Sequence, residues 1–188
     1  KNLINLTDLD LSSNDIEDIT PLKNLINLTR LNLQRSEITD ITPLKALINL
    51  ADLNLSWNSQ ITDIIPPKEL KNLTRLTLEH NKITDITPLK DLTNLTDLDL
   101  SGNDIEDLTP IKNLTNLTRL DLHGNNIKDL TPIKNLKTLE VLYLYDNHIA
   151  DIISLENLKK LKRLDLQINQ IKDIAPLKGI TNLETLWL

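Results

Sequence analysis

The chain has 188 residues, a formal net charge of −6 and a pI near 5.1, an acidic balance that argues against a nucleic-acid backbone as its main partner. It contains no cysteine, methionine or phenylalanine and only two tryptophans and two tyrosines, so disulfides are excluded and any core must be built from aliphatic side chains. No run of about eighteen apolar residues exists, so no membrane insertion is expected, and no charged segment leading into an apolar stretch marks a signal peptide at the start.

Read from the N-terminus, an L-x-x-L-x-L run opens at Leu6 and returns at Leu28, Leu50, Leu73, Leu95, Leu117, Leu139, Leu161 and Leu183. The step is 22 residues throughout, except for one of 23. Internal periodicity of this length signals a stack of like units rather than a globular core. Eight complete repeats result, with residues 1–5 the tail of another and 183–188 the head of a ninth. No linker interrupts them, so residues 1–188 are expected to form a single domain.

Within each repeat the elements follow in a fixed order. The alternating L-x-L stretch predicts a short strand with leucines inward and the intervening residues outward. The asparagine after it (positions 14, 58, 81, 103, 125, 147 and 169) is placed to bond backbone groups of adjacent turns, with Ser36 taking its place in the second repeat. An aspartate follows at 18, 40, 63, 85, 107, 129, 151 and 173, suited to accept from loop N–H groups. The Thr-Pro step, as at Thr20-Pro21 and Thr87-Pro88, predicts a threonine N-cap and one turn of 3-10 helix before the next strand. The third repeat carries the extra residue, which predicts a bulge at Ser59 and Gln60 and a convex turn shortened at Pro67.

These elements predict an α/β solenoid: a right-handed stack with a parallel sheet on its concave face and short 3-10 turns on its convex face. The L-x-x-L-x-L-x-x-N pattern is that of a leucine-rich repeat. The segment Asp85-Ile86-Thr87-Pro88-Leu89-Lys90 narrows it further, because the pattern resembles the 22-residue repeats of the bacterial internalin family over essentially the whole chain. The resemblance implies a surface protein that binds a host receptor through its concave face. Family members also carry a helical N-terminal cap, a C-terminal immunoglobulin-like cap and a wall anchor, none of which is expected within residues 1–188. Leu183, Leu186 and Leu188 would then lie at an open end, and either further chain or edge-to-edge association with another molecule would cover them. Absence of cysteine suits a cytoplasmic or a surface location, and the resemblance favours the cell surface.

Little in the chain suggests chemistry. Glycine occurs only at 102, 124 and 179, with no phosphate-cradling cluster, and no serine sits in a nucleophile elbow. His80, His123 and His148 fall in separate repeats. Asp99, Asp121 and His123 are the best metal candidates, but a solvated acidic surface relieved by Arg119 is the simpler reading of them. Sequons such as Asn94-Leu95-Thr96 follow from the repeat pattern. Neither catalysis nor a cofactor is expected.

Specificity enters on the outward positions two, four, six and seven residues after each opening leucine. The first of these columns alternates in sign, Asp8, Arg30, Asp52, Arg75, Asp97 and Arg119, before Val141 breaks it. All four aromatics fall in these columns. Val141, Tyr143, Tyr145, Ile168 and Trp187 are expected to form one apolar patch over the last three strands, and Trp57 to stack between Arg35 and His80. The sequence therefore predicts a protein-binding scaffold that uses these eight residues. A structural spacer and a carbohydrate-binding surface are the alternatives.

Overall fold

A computed structural model describes residues 3–64 and 69–188. Nine three-residue strands lie in one parallel sheet in sequence order: β1 Asp8–Asp10, β2 Arg30–Asn32, β3 Asp52–Asn54, β4 Arg75–Thr77, β5 Asp97–Asp99, β6 Arg119–Asp121, β7 Val141–Tyr143, β8 Arg163–Asp165 and β9 Thr185–Trp187. The register is the repeat itself. Leu9, Leu31, Leu53, Leu76, Leu98, Leu120, Leu142, Leu164 and Leu186 are direct partners from strand to strand. Only the central residue of each strand points inward, so the outward neighbours form columns along the sheet.

The core is one continuous aliphatic cluster running the length of the stack, with leucines and isoleucines of every repeat buried. Thin layers suit branched aliphatics, which fill a flat slab without the bulk of a ring. On the convex side, turns of 3-10 helix such as Thr20–Asn24, Thr87–Leu89 and Ala175–Gly179 carry the chain back. Their capping differs from the expectation. Threonine is the first helical residue, an isoleucine or leucine holds the N-cap position, and no N-cap side chain donates or accepts there. The aspartate column does that work. Asp18 Oδ1 accepts from Thr20 N–H at 2.8 Å, and Asp40, Asp85, Asp107, Asp129, Asp151 and Asp173 repeat the bond. Hydrogen bonds from Thr20, Thr42, Thr87 and Thr131 hold the carboxyls of Asp18, Asp40, Asp85 and Asp129 below the ordinary aspartate range.

The asparagine ladder forms as expected. Asn103 Nδ2 donates to Leu78 O, Leu100 O and Ser101 O, while its Oδ1 accepts from Ile83 N–H at 3.0 Å. Asn125, Asn147 and Asn169 repeat this. The ladder is incomplete in the second and third repeats: Ser36 Oγ and Asn58 Oδ1 are buried without partners, although Asn58 Nδ2 still donates to Leu33 O, Leu55 O and Ser56 O. The extra residue leaves the stack as an exposed turn at Ser59 and Gln60, closed by Ile61 N–H on Asn58 O at 2.8 Å, while Leu53, Leu55 and Ile61 stay buried. Pro67 lies outside the described residues. A second amide ladder was not anticipated from the repeat pattern: Asn27, Asn49, Asn72, Asn94, Asn116 and Asn182, each just before an opening leucine, donate to a carbonyl of the preceding repeat.

Candidate functional site: the concave face

The charge column two residues after each opening leucine becomes a chain of ion pairs. Arg30 reaches Asp8 at 3.3 Å and Asp52 at 3.7 Å, and Asp97 lies between Arg75 at 3.7 Å and Arg119 at 3.6 Å. Such exposed pairs fix register and solubility more than stability, at about 0–1 kcal/mol each. The alternation ends at Val141 on β7, where an aspartate would come next, with Arg119 on one side and Arg163 on the other.

Beyond that break the aromatic side chains gather. Tyr143 and Trp187, each four residues after its opening leucine, end β7 and β9, two strands apart, yet their ring centroids are 6.4 Å apart with planes inclined by 55°. Asp165 is the register partner of both. The guanidinium of Arg119 lies 4.9 Å from the Tyr143 ring and donates to Asp121 Oδ2 at 3.0 Å. Tyr145 lies 6.3 Å from the His123 ring. Ile168 is exposed, but it lines a separate recess of about 160 Å³ with Leu166, Asn169, Ile171, Ile174 and Leu188 at the edge of the last repeat. The structure thus joins Tyr143 to Trp187, and Ile168 lies in a recess that Leu188, next in sequence to Trp187, also lines.

The second group is compact. Trp57 lies 4.0 Å, centroid to centroid, from His80 and 5.4 Å from the Arg35 guanidinium. His80 in turn rests against Gly102, where an added Cβ would meet its Nδ1 at 2.6 Å. All of these residues belong to the seventh-position column, which lies past the strand in a turn. Every member of that column has positive φ, from Ser13 through Arg35, Trp57 and His80 to Gly102, Gly124, Asp146 and Ile168. The left-handed region costs a residue with a Cβ about 1–3 kcal/mol, most for a β-branched one such as Ile168. The sequence carried a signal for this in Gly102 and Gly124, the only glycines of the concave face.

Asp99, Asp121 and His123 do not make a metal site: among the described residues no three such groups are placed to hold an ion. Asp121 is committed to Arg119 and to His123 Nδ1 at 2.9 Å, and Asp99 to the Ser101 hydroxyl at 2.6 Å. Burial pushes the Asp99 carboxyl above the ordinary aspartate range, and the neighbouring Asp121 and Glu79 charges add to it. The hydrogen bond to Asp121 holds the His123 imidazolium above its ordinary range. No helix among the described residues is long and apolar enough to cross a membrane.

Comparison with known proteins agrees with this architecture. The family profile described as leucine rich repeats (2 copies) matches residues 4–46, 48–91, 93–135 and 137–179. Internalin C2 from Listeria monocytogenes is 36% identical, with a TM-score of 0.95 over 98% of this chain and 81% of its own. Another internalin of that organism, inlF, is 37% identical, with a TM-score of 0.85 over 100% of this chain and 62% of its own. A leucine-rich-repeat protein from Leptospira interrogans, 24% identical with a TM-score of 0.71 over 95% of this chain and 60% of its own, shares the fold. No curated protein matches by sequence. Leucine-rich-repeat proteins act in general as protein-interaction scaffolds. The chain belongs to the leucine-rich-repeat family, and within it to the internalin-like proteins.

Proposed function

We propose that the chain, as one domain over residues 1–188, is a non-enzymatic scaffold that binds a protein partner on its concave face. Tyr143, Tyr145 and Trp187 are the anchors, with Val141 between the charge column and the rings and Ile168 at the margin. Trp57, Arg35 and His80 form a smaller outlying contact four repeats away. The observation that carries this reading is the clustering of the chain's rare aromatics on the concave columns, with Trp187 38% exposed and Tyr143 half-buried beside it. Rings supply large contact area at low entropic cost and are enriched at the centres of interfaces. The likeness to Listeria internalins supports a place in a bacterial surface protein.

The test compares what the intact chain and its Tyr143→Ala/Tyr145→Ala variant capture from candidate host or bacterial extracts. A protein retained by the first and lost by the second supports the site. Equal retention moves the site elsewhere on the stack, and binding to glycan arrays alone would favour a carbohydrate surface.

A further inference from the structure

The aromatic corner of the concave face has two sides, and the chain fills only one of them. On the β6 side, the Arg119 guanidinium is held between the Asp121 carboxylate, at 3.0 Å, and the Tyr143 ring, at 4.9 Å. This is a complete cation site: a carboxylate for charge, a ring face for the flat guanidinium, and a hydrogen bond to orient it. On the β8 side the same ingredients recur without the cation. Asp165 lies in register between Tyr143 and Trp187, whose rings lean toward each other above it at 6.4 Å and 55°. Asp165 Oδ1 accepts from Gln167 N–H at 3.0 Å, and among the described residues its carboxylate makes no ion pair.

On the neighbouring strand Val141 takes the column place that the alternation would give to an aspartate, so β7 offers Asp165 no cation. Arg163 holds the same relation to Asp165 as Arg119 does to Asp121, two residues before it on the same strand, yet makes no ion pair among the described residues. The columns along the middle of the concave face, four and six residues after each opening leucine, carry charge that is mostly acidic: they contain Asp10, Glu79, Asp99, Asp121 and Asp165, with His123 their one basic residue.

We propose that the corner formed by Tyr143, Asp165 and Trp187 receives an arginine side chain of the protein partner, which completes the site that Arg119 completes for Asp121 and Tyr143. This rests on the concave-face reading and specifies the partner's chemistry: a basic contact residue, with the guanidinium paired to Asp165 and lying against one or both rings. Lysine offers the same charge without the planar fork, and so fits the site less well.

The probe is N-acetyl-arginine amide, titrated into the isotope-labelled intact chain while the Trp187 indole and the Tyr143 and Asp165 amides are followed by NMR. N-acetyl-lysine amide and the neutral N-acetyl-citrulline amide are run in parallel. Saturable shifts confined to this corner are expected with the arginine probe, smaller ones with lysine, and none with citrulline. Asp165→Asn should weaken the arginine probe at least about fivefold. That substitution leaves the fold intact, because Asn32 and Asn54 hold the same column position and accept the same backbone bond, from Gln34 N–H at 3.1 Å and Ser56 N–H at 2.9 Å. Equal shifts with citrulline, unchanged affinity in Asp165→Asn, or shifts centred on other acidic positions would overturn the proposal. If the probe fails to bind while the tyrosine variant still loses its partner, the cation site falls and the concave-face reading stands. If the probe binds while the tyrosine variant still captures the partner undiminished, the cation site stands and the tyrosine anchors fall.

Discussion

The second to fourth repeats and the sixth to ninth contain the same kinds of residue in two different states. Around Trp57 the ring, though still 41% exposed, is flanked by the chain's own neighbours, Arg35 from the repeat before and His80 from the repeat after. Beneath that stack the scaffold is defective: Ser36 and Asn58, next in sequence to Arg35 and Trp57, leave buried polar atoms unpartnered, and an extra residue bulges out beside them. Around Tyr143 and Trp187 the interior ladder is complete through Asn125, Asn147 and Asn169, and the surface rings border a carboxylate without an ion pair. Over the incomplete interior the ring is stacked at 4.0 Å on His80, whereas over the complete one the ring–ring contacts are looser, at 6.3 and 6.4 Å, and a carboxylate beside them is left for something else to contact. An exposed aromatic is therefore read by what already packs on it, and the second cluster has the stronger character of a partner site, the Trp57 group the weaker.

The largest expected effect concerns the ladder. Asn147→Ala removes donations to Leu122 O, Leu144 O and Tyr145 O and an acceptor for Ile127 N–H, so denaturant unfolding should show a loss of about 3 kcal/mol. Asn58→Ala should cost about 1 kcal/mol less, because its Oδ1 has no donor to lose. Equal losses would mean that the third repeat is as well satisfied as the seventh. The next effect concerns the rings. Trp57→Ala removes both a ring–ring and a cation–ring contact and should lower stability by about 1–2 kcal/mol, whereas Tyr145→Ala should leave it within about 0.5 kcal/mol. The reverse order would erase the distinction between the clusters.

The smallest effect is a pH dependence in the sixth repeat. His123 has its folded-state value raised, chiefly by the hydrogen bond to Asp121, so its stabilisation is fully present below its ordinary value of 6.5 and is lost as pH rises through the higher folded value. With its side chain 36% exposed, solvent screening holds the loss under about 1 kcal/mol. His123→Gln should flatten stability over that window. A stability that rises there instead would show that the Asp121 contact is not formed in solution.

The period of 22, the inward leucines, the asparagine ladder and the bulge at Ser59 and Gln60 were legible because each follows from spacing and side-chain chemistry alone. The aspartate–threonine capping was half legible: the acceptor was recognised, but threonine was assigned the cap, since a Thr-Pro pair looks the same whether threonine precedes the first turn or begins it. The positive φ at Arg35, Trp57, His80 and Ile168 was hidden, because six of that column's eight residues are not glycine and only the backbone shows the turn. Ile168 shares that turn: past the strand end and in a left-handed conformation, it does not continue the alternation that orients Tyr143.

The central claim is that Tyr143 and Tyr145 serve a partner whereas Trp57 serves chiefly the fold, and it is tested most directly by titration calorimetry with the captured partner. The intact chain, Tyr143→Ala/Tyr145→Ala and Trp57→Ala are measured side by side, each with its melting temperature. The tyrosine pair is expected to weaken affinity by about thirtyfold or more, near 2 kcal/mol, with little change in melting, while Trp57→Ala lowers melting and weakens binding far less. Unchanged affinity in the tyrosine variant, or a greater loss of affinity in Trp57→Ala, would contradict it.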